Sequence, residues 1–382
     1  MTASTETSST ADSGKGLGSA FRSAMFWNIT NMTFNQVMTT VVFLFLTYKL
    51  SPEVFGLFAL GVLFVDYFHY QARSSGVDAL IQGQDFSKPT LDTSFNAGFL
   101  VILGVSIVLM LGAGLMAWAL KEPQLAFILP ALALTLLPMP FIVPAHAVLA
   151  NEMDFRGIAM RGIAASIGGG AAAVIVAIGP YAEWALVVQR AVNVIVSAIF
   201  LMLRTKWFPS LHMNREKAGA FLRNSGSIFL AQAMGTSLMR ILNLIVGVSF
   251  GAAAIGLMSV AAKFLDTIYG AIAAPMGSLW VIMLSKERES KSARSSLYLG
   301  LTQMAALICL PVFAGIALTS YDIVHLVLND EFAGVAPFLA IFAGVGVLSP
   351  LFYFRNFALT ALKRANLLRQ LALLDFLVLL GA

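Results

Sequence analysis

The sequence predicts an all-α, polytopic membrane protein built as two pseudo-symmetric helical bundles around a central cavity. Three observations carry that expectation. Apolar stretches of about 20 residues or more, the length that crosses a ~30 Å hydrocarbon core, recur along all 382 residues. Only 11% of the residues are charged, against about 25% in a soluble domain. The stretch 55–66 (FGLFALGVLFVD) also returns at 255–266 (IGLMSVAAKFLD), 200 residues on and without a gap, with Gly56/Gly256, Leu57/Leu257, Phe64/Phe264 and Asp66/Asp266 identical.

The first 18 residues are Ser/Thr/Gly-rich and suggest a disordered cytoplasmic tail. They lack the basic region, short apolar run and cleavage site of a signal peptide. Eleven spans follow, at 20–48, 53–81, 91–119, 123–149, 157–179, 182–204, 218–247, 252–284, 294–319, 333–361 and 366–382. Their short loops make neighbours antiparallel. The fourth ends among Pro138, Pro140 and Pro144, and Pro275 and Pro350 interrupt the eighth and tenth; a proline inside a span kinks it. Gly168, Gly169 and Gly170 in the fifth suit close helix packing. The polar break 204–217 (RTKWFPSLHMNREK) places an N-lobe at 19–204, a linker at 205–217 and a C-lobe of five spans at 218–382. A second lobe of six would need another helix, so the expectation is a chain cut before its last helix or helices, with twelve or more spans when complete.

Lys and Arg in short loops set orientation. With the N-terminus in the cytoplasm, 17 of the 24 Lys and Arg residues fall on the cytoplasmic side, Arg156, Arg161 and Arg204 among them, against Lys49 and Lys121 opposite. The net charge of +5 is then an anchor at the membrane face and implies no nucleic acid. One cysteine, Cys309, excludes a disulfide framework. The four histidines are scattered without metal-ligand spacing, and there is no phosphate-cradling glycine loop, nucleotide motif or metal cluster. No cofactor is expected, and the short loops leave no room for a soluble catalytic domain.

The remaining basic residues, Arg73, Arg190, Arg240, Lys263 and Arg355, lie inside spans, as do Asp66, Asp266 and Asp375. Each such charge costs about 2.5–3.5 kcal/mol at a helix centre and marks a candidate site. Asp66, His69 and Arg73 share one face of the second span at i, i+3 and i+7; Arg190, Asn193 and Ser197 repeat that spacing on the sixth. Asn28, Asn31, Asn35 and Thr39 stripe the first span, and Gln232, Thr236, Arg240 and Asn243 the seventh. Such stripes face protein or a water-filled cleft rather than lipid. Plainer readings stand beside this one. Lys263 and Asp266 form a self-neutralising intrahelical pair. Arg73 and Arg355 lie about 12 Å from the cytoplasmic helix ends, within snorkelling reach. The amide stripes join helices. Cations outnumber anions, which favours a cavity for an anionic ligand bound by Arg73, Arg190, Arg240, Lys263 and Arg355 with Asn28, Asn31, Asn35, Gln232 and Asn243. Asp66 and Asp266 are the candidates for ion coupling, since a buried carboxylate can alternate between charge states.

Five segments, SPEVFGLFAL (51–60), ALIQ (79–82), MDFR (153–156), EWALVVQR (183–190) and WFP (207–209), resemble in order and spacing the polysaccharide-transporter branch, the Wzx-like flippases, of the multidrug/oligosaccharidyl-lipid/polysaccharide exporter superfamily. The resemblance implies two six-helix lobes related by a pseudo-twofold axis and a bacterial inner-membrane location. It implies a substrate of undecaprenyl-pyrophosphate-linked oligosaccharide for surface polysaccharide biosynthesis. The partners it implies are the lipid-linked substrate, membrane lipids, a polysaccharide polymerase and a chain-length regulator. Arg190, directly after the WALV segment, is the residue it marks most clearly. Two alternatives remain: a cation-coupled multidrug exporter of the same superfamily, which wants an acidic or aromatic cavity, and a membrane-embedded glycan polymerase or ligase, which wants a long outer loop.

Overall fold

A computed structural model describes residues 7–286 and 291–348, with the isolated positions Leu367 and Leu371. The described residues form eleven α-helices: α1 (Thr7–Thr47), α2 (Pro52–Gly83), α3 (Lys88–Ala119), α4 (Leu125–Leu134), α5 (Met139–Asn151), α6 (Phe155–Ile178), α7 (Ala185–Thr205), α8 (Arg215–Lys286), α9 (Lys291–Leu318), α10 (Ser320–Val327) and α11 (Val335–Gly346). Eight segments among them are long and apolar enough to cross a membrane, so the chain is a multi-pass membrane protein. Apart from Leu367 and Leu371, the eleventh expected span, 366–382, lies outside the described residues, as does the tenth beyond residue 348.

Most helix ends fall within a few residues of the sequence expectation. Four differ for identifiable reasons. The first helix begins at Thr7, inside the stretch whose composition suggests a disordered tail; once a span is helical, each added residue costs little. The fourth span is two helices, α4 and α5, because Pro138 and Pro140 supply no N–H to carry the ladder through 135–138. The seventh and eighth are joined as α8, broken by Gly251 at φ +81°. Before α11, the expected loop contains a short helix, α10, and a 3-10 turn at Asp330–Phe332.

By compactness the chain divides into two units, with boundaries inside α1, α2, α3 and α8. One comprises Met1–Val42, Phe64–Leu115 and Ala126–Gln232; the other comprises Phe43–Leu63, Met116–Leu125 and Ala233–Ala382.

In the first unit, α6 supplies a seam of small residues. A Cβ on Gly169 would stand 2.8 Å from the Gln189 carbonyl of α7, and one on Gly170 would stand 2.9 Å from Val42 of α1. The α7 backbone itself therefore lies against α6 at Gly169, and the α1 side chains Val42 and Met38 fill the space at Gly170, which is why the glycine run stands there. Asp154 caps α6 by accepting from the Gly157 amide at 2.9 Å and pairs with Arg204 at 2.8 Å. The segment after α7 is fastened to α3. Buried Asp92 accepts from Trp207 Nε1 at 3.0 Å and from Ser210 Oγ at 2.6 Å, and Asn96 donates to the Ser210 and His212 carbonyls.

In the second unit the sequence echo becomes a contact. A Cβ on Gly56 would strike the Ala252 carbonyl, and one on Gly256 would strike the Pro52 carbonyl. Positions 52 and 252, like 56 and 256, are 200 apart, so each contact is the counterpart of the other. That reciprocity is what a twofold relation imposes on an interface. Around it Phe43 meets Phe264 and Phe55 meets Phe332, edge to face, with centroids 6.1 and 5.8 Å apart.

Candidate functional site

The polar stripes of α1, α2 and α7 converge with α5 and α6 on one cavity of about 340 Å³, entirely within the first unit. Its lining includes Asn31 and Asn35 from α1, His69 and Arg73 from α2, Arg161 from α6, and Asn193 and Ser197 from α7. Met139, Ile142 and Val194 give it an apolar side. The lining contains no carboxylate among the described residues.

Arg190 and Asp66 form an ion pair between α7 and α2, with the Arg190 side chain 15% exposed and Asp66 47%. Arg190 Nε also donates to Thr135 Oγ1 at 3.2 Å. Thr135 sits where α4 stops, so the proline-induced break places a hydroxyl beside the guanidinium. On α1, Asn35 Nδ2 donates to the Asn31 side-chain oxygen at 2.6 Å. The Asn31 amide lies against Gly162, where any side chain would displace it.

The expected residues are only partly gathered here. Asn31, Asn35 and Arg73 line the cavity, and the Asp66–Arg190 pair belongs to the same unit. Gln232 is in that unit but away from the cavity lining, donating to Ser74 Oγ at 3.1 Å and Asp78 Oδ2 at 3.3 Å. Lys263, Asp266 and Asn243 belong to the second unit. Arg355 lies outside the described residues, as do the side chains of Asn28 and Arg240.

Arg161 requires a correction. Its charge-flanked segment places it among the cytoplasmic anchors, but it is 9% exposed and lines the cavity. The reason lies in its own helix: Gly162, Ala165 and Gly169 share its face and draw α1 and α7 over it. That run of small residues after Arg161 was the signal for an inward-facing side chain. His69 stands on the predicted α2 stripe and lines the cavity beside Arg73. Arg161 Nε, His69 Nε2, His146 Nδ1 and Arg190 Nη2 are buried with no hydrogen-bond partner among the described residues. No group of three His, Cys, Asp or Glu side chains there could hold a metal ion.

Residues 45–337 match the family described as "Polysaccharide biosynthesis protein". The chain belongs to this family. It is 22% identical over 334 residues to the succinoglycan biosynthesis transport protein ExoT of Rhizobium meliloti strain 1021, an alignment covering 85% of this chain and 66% of that protein. The chain thus spans just under two thirds of that relative's length. Among solved structures, the inward closed conformation of the lipid II flippase MurJ superposes with a TM-score of 0.70, at 12% identity, over 89% of this chain and 76% of that one. An inward-facing multidrug resistance MATE transporter of the MOP superfamily gives a TM-score of 0.56, at 16% identity, over 89% and 81%. The fold is that of the MurJ and MATE transporters.

Proposed function

We propose that this protein is a flippase. It carries a lipid-linked oligosaccharide, the pyrophosphate-linked kind that the flippase resemblance implies, from the cytoplasmic to the outer leaflet of a bacterial inner membrane. The observation that carries this reading is the carboxylate-free, cation-lined cavity among membrane-spanning helices of a polysaccharide biosynthesis protein. Guanidinium groups in a partly dehydrated cleft attract an anionic headgroup far more strongly than they would in water. The amides of Asn31, Asn35 and Asn193 and the Ser197 hydroxyl suit sugar hydroxyls. Arg240, Lys263 and Arg355 are further candidate cations of the C-terminal half, and the lipid tail stays in the bilayer.

Transport proceeds by alternating access about the site, with the N-terminus cytoplasmic as the Lys/Arg distribution requires. Asp66 and Asp266 are the coupling carboxylates. Asp66 held by Arg190 is one state of that switch, and Asp66 released and neutralised is the other. The product feeds a polymerase and its chain-length regulator.

The test is reconstitution in liposomes and leaflet transfer of a short-chain lipid-pyrophosphate oligosaccharide, with and without a proton gradient. Arg190→Ala and Arg240→Ala are expected to abolish transfer, and Asp66→Asn to remove its gradient dependence. No transfer by the unaltered protein, with export of cationic dyes instead, overturns the reading in favour of a multidrug exporter.

A further inference from the structure

We propose that the α6–α7 helix pair carries, on its bilayer-facing side, a site for an anionic phospholipid of the surrounding leaflet, held between Arg156 and Arg204. The site is separate from the polar cavity and does not depend on what the protein transports.

A crevice of about 300 Å³ is lined by Arg156, Gly157 and Met160 of α6 and by Phe200 and Arg204 of α7. None of these residues lines the polar cavity. Arg156 stands one residue from the start of α6 and Arg204 one residue from the end of α7. With the N-terminus cytoplasmic, both of those ends lie at the cytoplasmic face, so the two guanidinium groups stand at headgroup level. Beyond them the seam is apolar. Met160, Ile167 and Ile175 on α6 and Ile195, Ile199 and Leu203 on α7 are exposed, at spacings that keep each set on one helix face. In a membrane span such faces meet lipid. The wall is charged at its end and apolar along its length, as are the phosphate and acyl chain of a phospholipid.

The charge balance selects an anion. Arg204 is engaged by Asp154, whose Oδ2 lies 2.8 Å from Nη2 and 3.0 Å from Nε, while Oδ1 accepts from the Gly157 amide at 2.9 Å. Asp154 has both oxygens occupied and neutralises one of the two cations. Arg156 forms no ion pair among the described residues. Its guanidinium carbon stands 5.5 Å from the ring centroid of Trp27 on α1. An aromatic face at that distance steadies a cation without cancelling its charge. One unit of positive charge therefore remains at the crevice.

A phosphodiester supplies the opposite charge, and its two free oxygens match the donor fork of a guanidinium. The lining offers no carboxylate to receive an ammonium, so phosphatidylglycerol is favoured over a zwitterionic headgroup. Basic pockets between helices on the cytoplasmic side are suited to such lipids. A soluble anion would meet the arginines alone, whereas a phospholipid also covers Met160, Phe200 and the seam beyond them.

Trp27 is the reporter. The full-length protein, with its other tryptophans replaced by phenylalanine, is reconstituted in phosphatidylcholine vesicles containing a minor fraction of phosphatidylglycerol. Quenching of Trp27 by brominated phosphatidylglycerol is compared with quenching by brominated phosphatidylcholine. The expected preference is on the order of fivefold, the factor that one arginine contributes beside anionic lipid. Arg156→Gln is expected to bring the two lipids to parity, and Arg156→Lys to retain part of the preference. Arg204→Gln is expected to lower it as well and decides the matter if Arg156→Gln yields no folded protein. Arg215→Gln, which removes a charge outside the crevice lining, is expected to leave it unchanged.

A preference that is absent in the unaltered protein, or unchanged in both crevice variants, overturns the site. So does an equal loss in Arg215→Gln, which marks a diffuse surface field. Inorganic phosphate added at matched ionic strength is expected to leave the preference intact; its loss assigns the crevice to a free anion and overturns the phospholipid.

Discussion

Gly56→Ala tests whether the sequence echo is a physical interface. The added methyl would sit within contact distance of the Ala252 carbonyl, a backbone group that cannot rotate away. Carbon needs about 3.5 Å to a neighbouring heavy atom, so the two helices must part by on the order of 1 Å. Overpacking of this kind costs about 1–3 kcal/mol, and the rigid partner puts Gly56 towards the upper end. Replacing a helical glycine with alanine otherwise gains up to about 1 kcal/mol. The expected net loss is about 2 kcal/mol.

Gly104 and Gly112 on α3 have nothing within 4 Å of the place an added methyl would occupy, so their alanine variants measure the propensity gain alone. Thermal unfolding in detergent, followed by the surviving monodisperse fraction, ranks the four proteins. Gly56→Ala should melt below the unaltered protein, and Gly104→Ala and Gly112→Ala at or above it. Gly256→Ala should match Gly56→Ala, because its methyl strikes Pro52 in the reciprocal contact. The double variant should lose less than the two single losses added, since one separation of the helices relieves both clashes. A Gly56→Ala protein as stable as Gly104→Ala refutes the reciprocal packing.

Two further predictions concern the segment after α7. Asp92→Ala removes the acceptor of both Trp207 and Ser210 and should cost about 3 kcal/mol, with a buried indole N–H left unpaired; red-shifted Trp207 emission, in protein whose other tryptophans are phenylalanine, reads the release, and unchanged emission contradicts it. Asp85 lies outside the spans and accepts from Lys217 at 2.8 Å and Thr90 at 2.5 Å; the Lys217 ammonium, then Thr90 and Ser87, hold its carboxyl well below the usual carboxylate range. Its tie is therefore fully present above about pH 4 and is lost only as pH falls through that depressed value. Because the pair is exposed, Asp85→Asn at neutral pH should raise proteolysis near Lys217 by no more than about fivefold, and acidification to pH 5 should leave the unaltered protein as it is at pH 7.

The membrane class and most helices of this protein are determined by the sequence alone. A 20-residue apolar run has no other stable disposition than to cross a bilayer or be buried, and backbone satisfaction makes it helical. The candidate site was legible where a polar stripe runs along one helix. Asp66, His69 and Arg73 keep their face because helical spacing allows no alternative, and Arg190 was marked by its depth in an apolar span. What the spacing left open is which stripe meets which. Only the tertiary structure decided that Arg190 is engaged by Asp66, since that depends on how α2 crosses α7. It also depends on where the prolines stop α4 and so present Thr135. Arg161 shows the same limit from the other side. Its sequence neighbours carry charge and suggest the membrane face, but the small residues after it bring α1 and α7 close enough to enclose it. Local sequence sets a residue's position on its own helix; the neighbouring backbones decide whether that position faces water, lipid or a cavity.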